Sequence, residues 1–222
     1  DWSTETALGC IGGQSGPKAR TLAEELRSQV CDASEGAADL ADMYARLIPA
    51  LYRFTARRDV PLTVERTSHL LRFNTATWGL PRFALLGLFV NPESRSTAIH
   101  AYDQAIHGSG LYETSRFGTG AIPFDLIVPG HGRGTIRLGR RGIVIMTPTP
   151  QFVSIPANRP VRSLGDLAEL VESKFGPYCS VVGKAVTLIG MLAAEHVFVF
   201  HEGESAYVTR SRELHRQLAE AG

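Results

Sequence analysis

The chain has 222 residues, 44% of them hydrophobic, and a formal net charge of +1. That is long enough for one large folded unit or two small ones and too apolar for a disordered chain. A charge so close to balance argues against a surface that is basic all over and binds nucleic acid everywhere. No apolar run reaches the roughly 18 residues of a membrane span. The three cysteines, Cys10, Cys31 and Cys179, are an odd number without CxxC spacing, which speaks against a disulfide framework and for a reducing, cytoplasmic setting. The opening DWSTETALGC has neither the basic nor the apolar stretch of a signal peptide and lacks Met; it reads as a trimmed or processed start.

In chain order, residues 17–58 read as helical. Leu40, Met43, Tyr44, Leu47, Ile48, Leu51 and Phe54 recur at steps of three and four, the stripe of an amphipathic helix. Pro49 interrupts that stripe, and the donor it removes predicts a kink or a break into two helices. Pro61 is placed to start another helix over PLTVERTSHLLRF. Residues 83–90, FALLGLFV, fit a buried strand or a short helix, because periodicity does not separate the two. Residues 94–107 read as helix. The Gly-rich run 107–120, HGSGLYETSRFGTG, lacks a period and reads as a long functional or connecting loop.

From Phe124 the pattern changes. FDLIV, GTIRL, RGIVIMT and QFVSI are short β-rich runs parted by turn residues, as in an antiparallel meander. SLGDLAELVESKFG is a well-signed helix: Ser163 caps it, Asp166 stands three residues on, and Gly176–Pro177 stops it. Residues 179–194 read as an apolar helix, HVFVF (196–200) as a buried strand and 205–220 as a charged final helix. The whole is an α+β fold, with an N-terminal helical region followed by an antiparallel β-meander packed with helices. The expected divisions are 1–90, a connecting helix and loop over 91–123, and a mixed region over 124–222.

LIVPGHGRGTIRLG, residues 126–139, resembles a phosphate loop only superficially. Gly130, Gly132 and Gly134 stand at G-x-G-x-G spacing, and β-branched residues follow where a dinucleotide loop needs a helix. A Walker loop fails too, since Ala185 follows Lys184 where the hydroxyl residue belongs. The stretch reads as a hairpin turn, the glycines supplying positive φ. No motif identifies a cofactor, and H-E-x-x-H is absent.

The strongest remaining signal is charge. Between Asp125 and Asp166 there is no acid, while Arg133, Arg137, Arg140, Arg141, Arg159 and Arg162 lie there; the first 42 residues hold Glu24, Glu25, Asp32, Glu35, Asp39 and Asp42. Three readings follow: a solvated sheet face, pairing with acids of the same chain or of a second copy, or contact with an anion or nucleic acid. Lys184, as part of a helix, would share a stripe with Ser180, Thr187, Met191 and Glu195. The expected site takes a small anionic ligand between the 107–120 loop, the meander and the HEGES segment after HVFVF. There Arg116 and Arg133 clamp the anion, Lys184 adds a further cation, His131 or His201 exchanges a proton, and Glu202 orients the histidine. A non-enzymatic assembly module and a nucleic-acid binder using the arginine face are the alternatives.

Overall fold

The computed structural model describes residues 17–59, 61–197 and 205–220. The chain divides into two compact units at Leu70/Leu71.

The first unit is helical. Helix α1 spans Pro17–Ser34 and α2 spans Leu40–Ala56. The two pair as a hairpin, and the break between them falls at residues 35–39. There Gly36 turns the chain at φ +66°, and the Asp39 carboxylate accepts the Asp42 amide at 2.8 Å as the cap of α2. The break expected at Pro49 is absent, because α2 runs through it. Asp39 and Asp42 are met by arginines of the same unit: Arg46 pairs with Asp42, and Arg66 with both Asp39 and Asp42. The helix expected from Pro61 shrinks to α3, Thr67–Leu70.

Just beyond α3, the Leu71 carbonyl accepts the Val181 amide at 3.0 Å and the Phe73 amide donates to the Cys179 carbonyl at 2.9 Å. This strand-like pairing replaces the last turn of the expected helix, and it buries Leu71 and Phe73.

The second unit is α+β. Its strands are β1 (Ala121–Val128), β2 (Gly132–Leu138), β3 (Gly142–Met146), β4 (Gln151–Ser154) and β5 (Ser180–Gly183). They form an antiparallel sheet in the order β4-β3-β2-β1-β5. The meander therefore runs outward from β1, and β5 closes the other side. The hairpin at 129–131 turns on Gly130, at φ +76°, as the glycine spacing predicts.

The register assigns the two faces. Phe124, Leu126, Val128, Ile136, Leu138, Ile143, Ile145, Val153 and Val181 project to one side, and all are buried. Helices α4 (Ala84–Val90), α5 (Arg95–Ile106), α6 (Leu164–Phe175) and α7 (Val186–Ala193) build the core against it. The final helix α8, Ser205–Glu220, packs on α5 and α7. Helix α4 resolves the ambiguity of FALLGLFV. It buries Leu85, Leu86, Phe89 and Val90 among other helices and the sheet while Leu88 stays exposed, and Phe89 meets Phe124 of β1 edge-to-face at 5.3 Å.

Residues 179–194 correct another expectation. They are not one helix but strand β5, a sharp turn at Lys184–Ala185, and then α7. The β-branched pair Val181–Val182 hydrogen-bonds along β1, and the Lys184 amide donates to the Pro123 carbonyl at 2.9 Å. Of HVFVF, residues 198–200 lie outside the described residues.

Helix α6 forms as its signals predict. The Ser163 hydroxyl accepts the Asp166 amide at 3.2 Å, and the Asp166 carboxylate accepts the Ser163 amide at 2.9 Å, the reciprocal bonds of a capping box. Ser163→Ala should lower the stability of this unit by about 1 kcal/mol, read as a shift in the urea midpoint with unchanged slope. A midpoint equal to that of the wild type would show that Asp166 alone suffices.

Candidate functional site

The face of the sheet opposite the core carries Asp125, Arg133, Thr135, Arg137, Val144, Met146 and Phe152. Asp125 is the centre of a charge cluster there. Its carboxylate, 7% exposed, lies 2.5 Å from Lys184 Nζ and accepts Arg133 Nε at 2.7 Å. The Thr135 hydroxyl donates to it at 3.0 Å. A carboxylate inside an apolar strand is rarely buried unless paired, so the Asp in FDLIV was the sequence signal for this cluster. Asp125 is not among the site residues expected from the sequence.

The Gly-rich loop reaches the same place. Its 3-10 turn, Thr114–Phe117, sets the Phe117 ring 4.4 Å from Lys184 Nζ. Phe117 meets Tyr112 edge-to-face at 6.4 Å, and the Arg116 guanidinium lies 3.8 Å above the Tyr112 ring. Arg137 Nε donates to the Thr119 carbonyl at 3.0 Å. Arg116, Arg133 and Lys184 are thus linked through one chain of stacked rings and ion pairs.

The linkage differs from an open clamp, because Arg133 and Lys184 are both turned onto Asp125. Nor does Lys184 belong to a helical stripe. Ser180 lies in β5, and Glu195 holds Arg82 at 2.6 Å. Lys184 precedes Ala185, whose backbone is held at φ 44°, ψ −110°. A non-glycine residue in that region stores about 1–3 kcal/mol of strain.

His131 sits in the β1–β2 turn and packs on Phe175 at 6.3 Å. His201 and Glu202 lie outside the described residues. Cys179 is buried, which pushes its thiol up to about 11, away from nucleophilic reactivity. Among the described residues, no group of three or more His, Cys, Asp or Glu is placed to hold a metal ion. No helix among them is long and apolar enough to cross a membrane.

A cleft of about 530 Å³ opens where the end of the Gly-rich loop meets the meander. Pro92, Leu138, Ile155, Pro160 and Val161 form apolar walls; Arg95, Arg140 and Thr119 are the polar residues of the lining. Arg95 is fixed by its own fold position. Its Nε donates to the Phe89 carbonyl at 2.9 Å and its Nη2 to the Val90 carbonyl at 2.5 Å, satisfying the open C-terminal end of α4. Burial alone lowers its pKa, yet a guanidinium stays charged in a protein. Arg140 stands in the β2–β3 turn. No carboxylate lines this cleft among the described residues. Across Pro92 and Pro160 it adjoins a second depression that adds Arg162 and Glu93.

Arg140 belongs to the acid-free stretch that the sequence singled out. Arg95 carried no signal, because 45 residues separate it from Arg140 and only the packing of α5 beside the meander joins them. Comparison with protein-family models, curated proteins and solved structures finds no match to this chain, so the residues themselves carry the functional argument.

Proposed function

We propose that the second unit binds a small anionic ligand, and that the ligand sits in the cleft between Arg95 and Arg140. One observation carries this reading: two arginines line a concavity of ligand size with no acid beside them among the described residues. Ligand pockets run from about 300 to 1,000 Å³ and combine apolar walls with a few fixed polar groups. Arginine suits the role because its planar fork binds carboxylate or phosphate with two parallel bonds. Arg95 is positioned by the α4 carbonyls before any ligand arrives, so little ordering is left to oppose binding. Arg116, Arg133 and Lys184, the cations chosen from the sequence, support the reading less well, since Asp125 already draws two of them. Among the described residues the lining holds neither a histidine nor a carboxylate, and the proposal is one of binding.

Thermal shift and titration calorimetry against phosphate, sulfate and a series of small carboxylates test it. Arg140→Gln is the informative variant, because Arg140 is exposed and its loss leaves the α4 end intact. The expected result is saturable binding by the wild type that weakens about tenfold or more in Arg140→Gln, in line with losing a hydrogen bond to a charged group, with an unchanged melting temperature in the absence of ligand. Equal affinity in the two proteins, or no saturable binding of any anion in the series, would overturn the assignment.

A further inference from the structure

The core-averted face of the sheet holds a flat aromatic ring beside a row of cations. Phe152 is 54% exposed although it lies in the sheet. Its ring lies over Gly142 of the neighbouring strand, where any Cβ would run into it. The glycine therefore lets the ring rest against the backbone of β3 and turn its other face to solvent. Phe152 pairs with Val144, and Val144 with Arg137, so the backbone positions of Phe152 and Arg137 stand on one line across the sheet, about 10 Å apart at the usual strand spacing.

Arg137 is itself held in place. Its Nε binds the Thr119 carbonyl, its Nη1 reaches the Met146 sulfur at 3.8 Å, and the guanidinium covers Gly118 so closely that a Cβ there would lie 3.0 Å from it. Arg133 stands four residues before Arg137 on β2, on the same face with Thr135 between them, and Lys184 lies beyond it on Asp125. Among the described residues of this face, Asp125 is the one acid, facing three cations.

We propose that this face binds single-stranded nucleic acid, with a base stacked on Phe152 and the backbone phosphates drawn to Arg137. The site is separate from the Arg95–Arg140 cleft. A stacking ring and fixed cations on one flat surface are the two requirements of single-strand binding. Stacking tolerates any base, since every base has a π face, and phosphate contacts follow the backbone. A duplex hides its bases and leaves the ring unused. An acidic peptide would use the cations and leave the ring idle as well. The near-neutral total charge does not oppose this, because attraction depends on the local excess of arginine.

Fluorescence anisotropy with a labelled oligothymidylate, measured across a salt series, tests the proposal. The wild type should bind at low salt and lose affinity steeply as salt rises. Phe152→Leu keeps the apolar surface without the ring and should weaken binding at least about fivefold, whereas Phe152→Tyr should retain it. Arg137→Gln should reduce the salt slope by about one. Any of three results would overturn the proposal: no binding at low salt, undiminished binding by Phe152→Leu, or a duplex or polyglutamate competing as well as the single strand.

Discussion

Replacing Gly183 with alanine should cost the second unit about 3 kcal/mol or more, the upper end of what overpacking does. The new Cβ would lie 2.6 Å from the Thr187 carbonyl carbon and 2.8 Å from Leu188 Cα. These are backbone atoms and cannot swing aside as a side chain would. Neither partner of the clash is free to withdraw. Gly183 is paired with Phe124 in the sheet, and the first turn of α7 is tied to β1 by the Thr187 hydroxyl, which donates to the Pro123 carbonyl at 2.9 Å. Relief requires parting β5 from β1 or lifting α7 off the core. Gly79→Ala is the matching control, since a Cβ there meets nothing within 4 Å and the backbone is not in the left-handed region; its effect should be within about 0.5 kcal/mol of zero. Urea denaturation of both variants decides the matter. A Gly183→Ala midpoint equal to that of the control would show that the β5–α7 turn yields more readily than its hydrogen bonds imply.

The second large effect is expected at Asp125. Asp125→Ala should destabilise the unit by about 3 kcal/mol, the lower end of the range for removing one partner of a buried ion pair. Most of that loss comes from Lys184, whose side chain is 17% exposed and would keep its charge without a carboxylate beside it. Arg133, 53% exposed, can turn to water and adds little. The Thr135 hydroxyl loses its acceptor as well. The distinguishing measurement is the pair Asp125→Leu and Lys184→Met, separately and together. If the cluster is held by opposite charge, the double variant should recover most of the loss suffered by Asp125→Leu, because two apolar residues replace a buried pair at little cost. Strictly additive losses in the double variant would mean that the two residues act independently and that the short contact between them contributes nothing measurable.

What the sequence by itself determined were the features whose causes lie within a few residues of one another. Ser163, Asp166 and Gly176 specify α6 because a cap and a stop act on the nearest turn. Gly130 marks the β1–β2 turn for the same reason, and the alternation of TIRL in β2 reports a strand with one buried side. The α+β class follows from the change of period near Phe124. The tertiary structure decided whatever depends on distant partners. Val181–Val182 became a strand because β1 offered hydrogen bonds along one edge, and Leu71–Phe73 left the helical state to pair with the chain at Cys179 and Val181. The apolar run at 84–90 became a helix because helices enclose it on several sides. Arg133 and Lys184 were legible as cations, but their shared carboxylate was not, since β5 must first lie beside β1. Arg95 and Arg140, 45 residues apart in the chain, come to line one cleft through packing alone. Local signals act through the backbone and its neighbours at three or four residues. Burial, strand pairing and the placement of charge are settled by atoms that the order of residues leaves far apart.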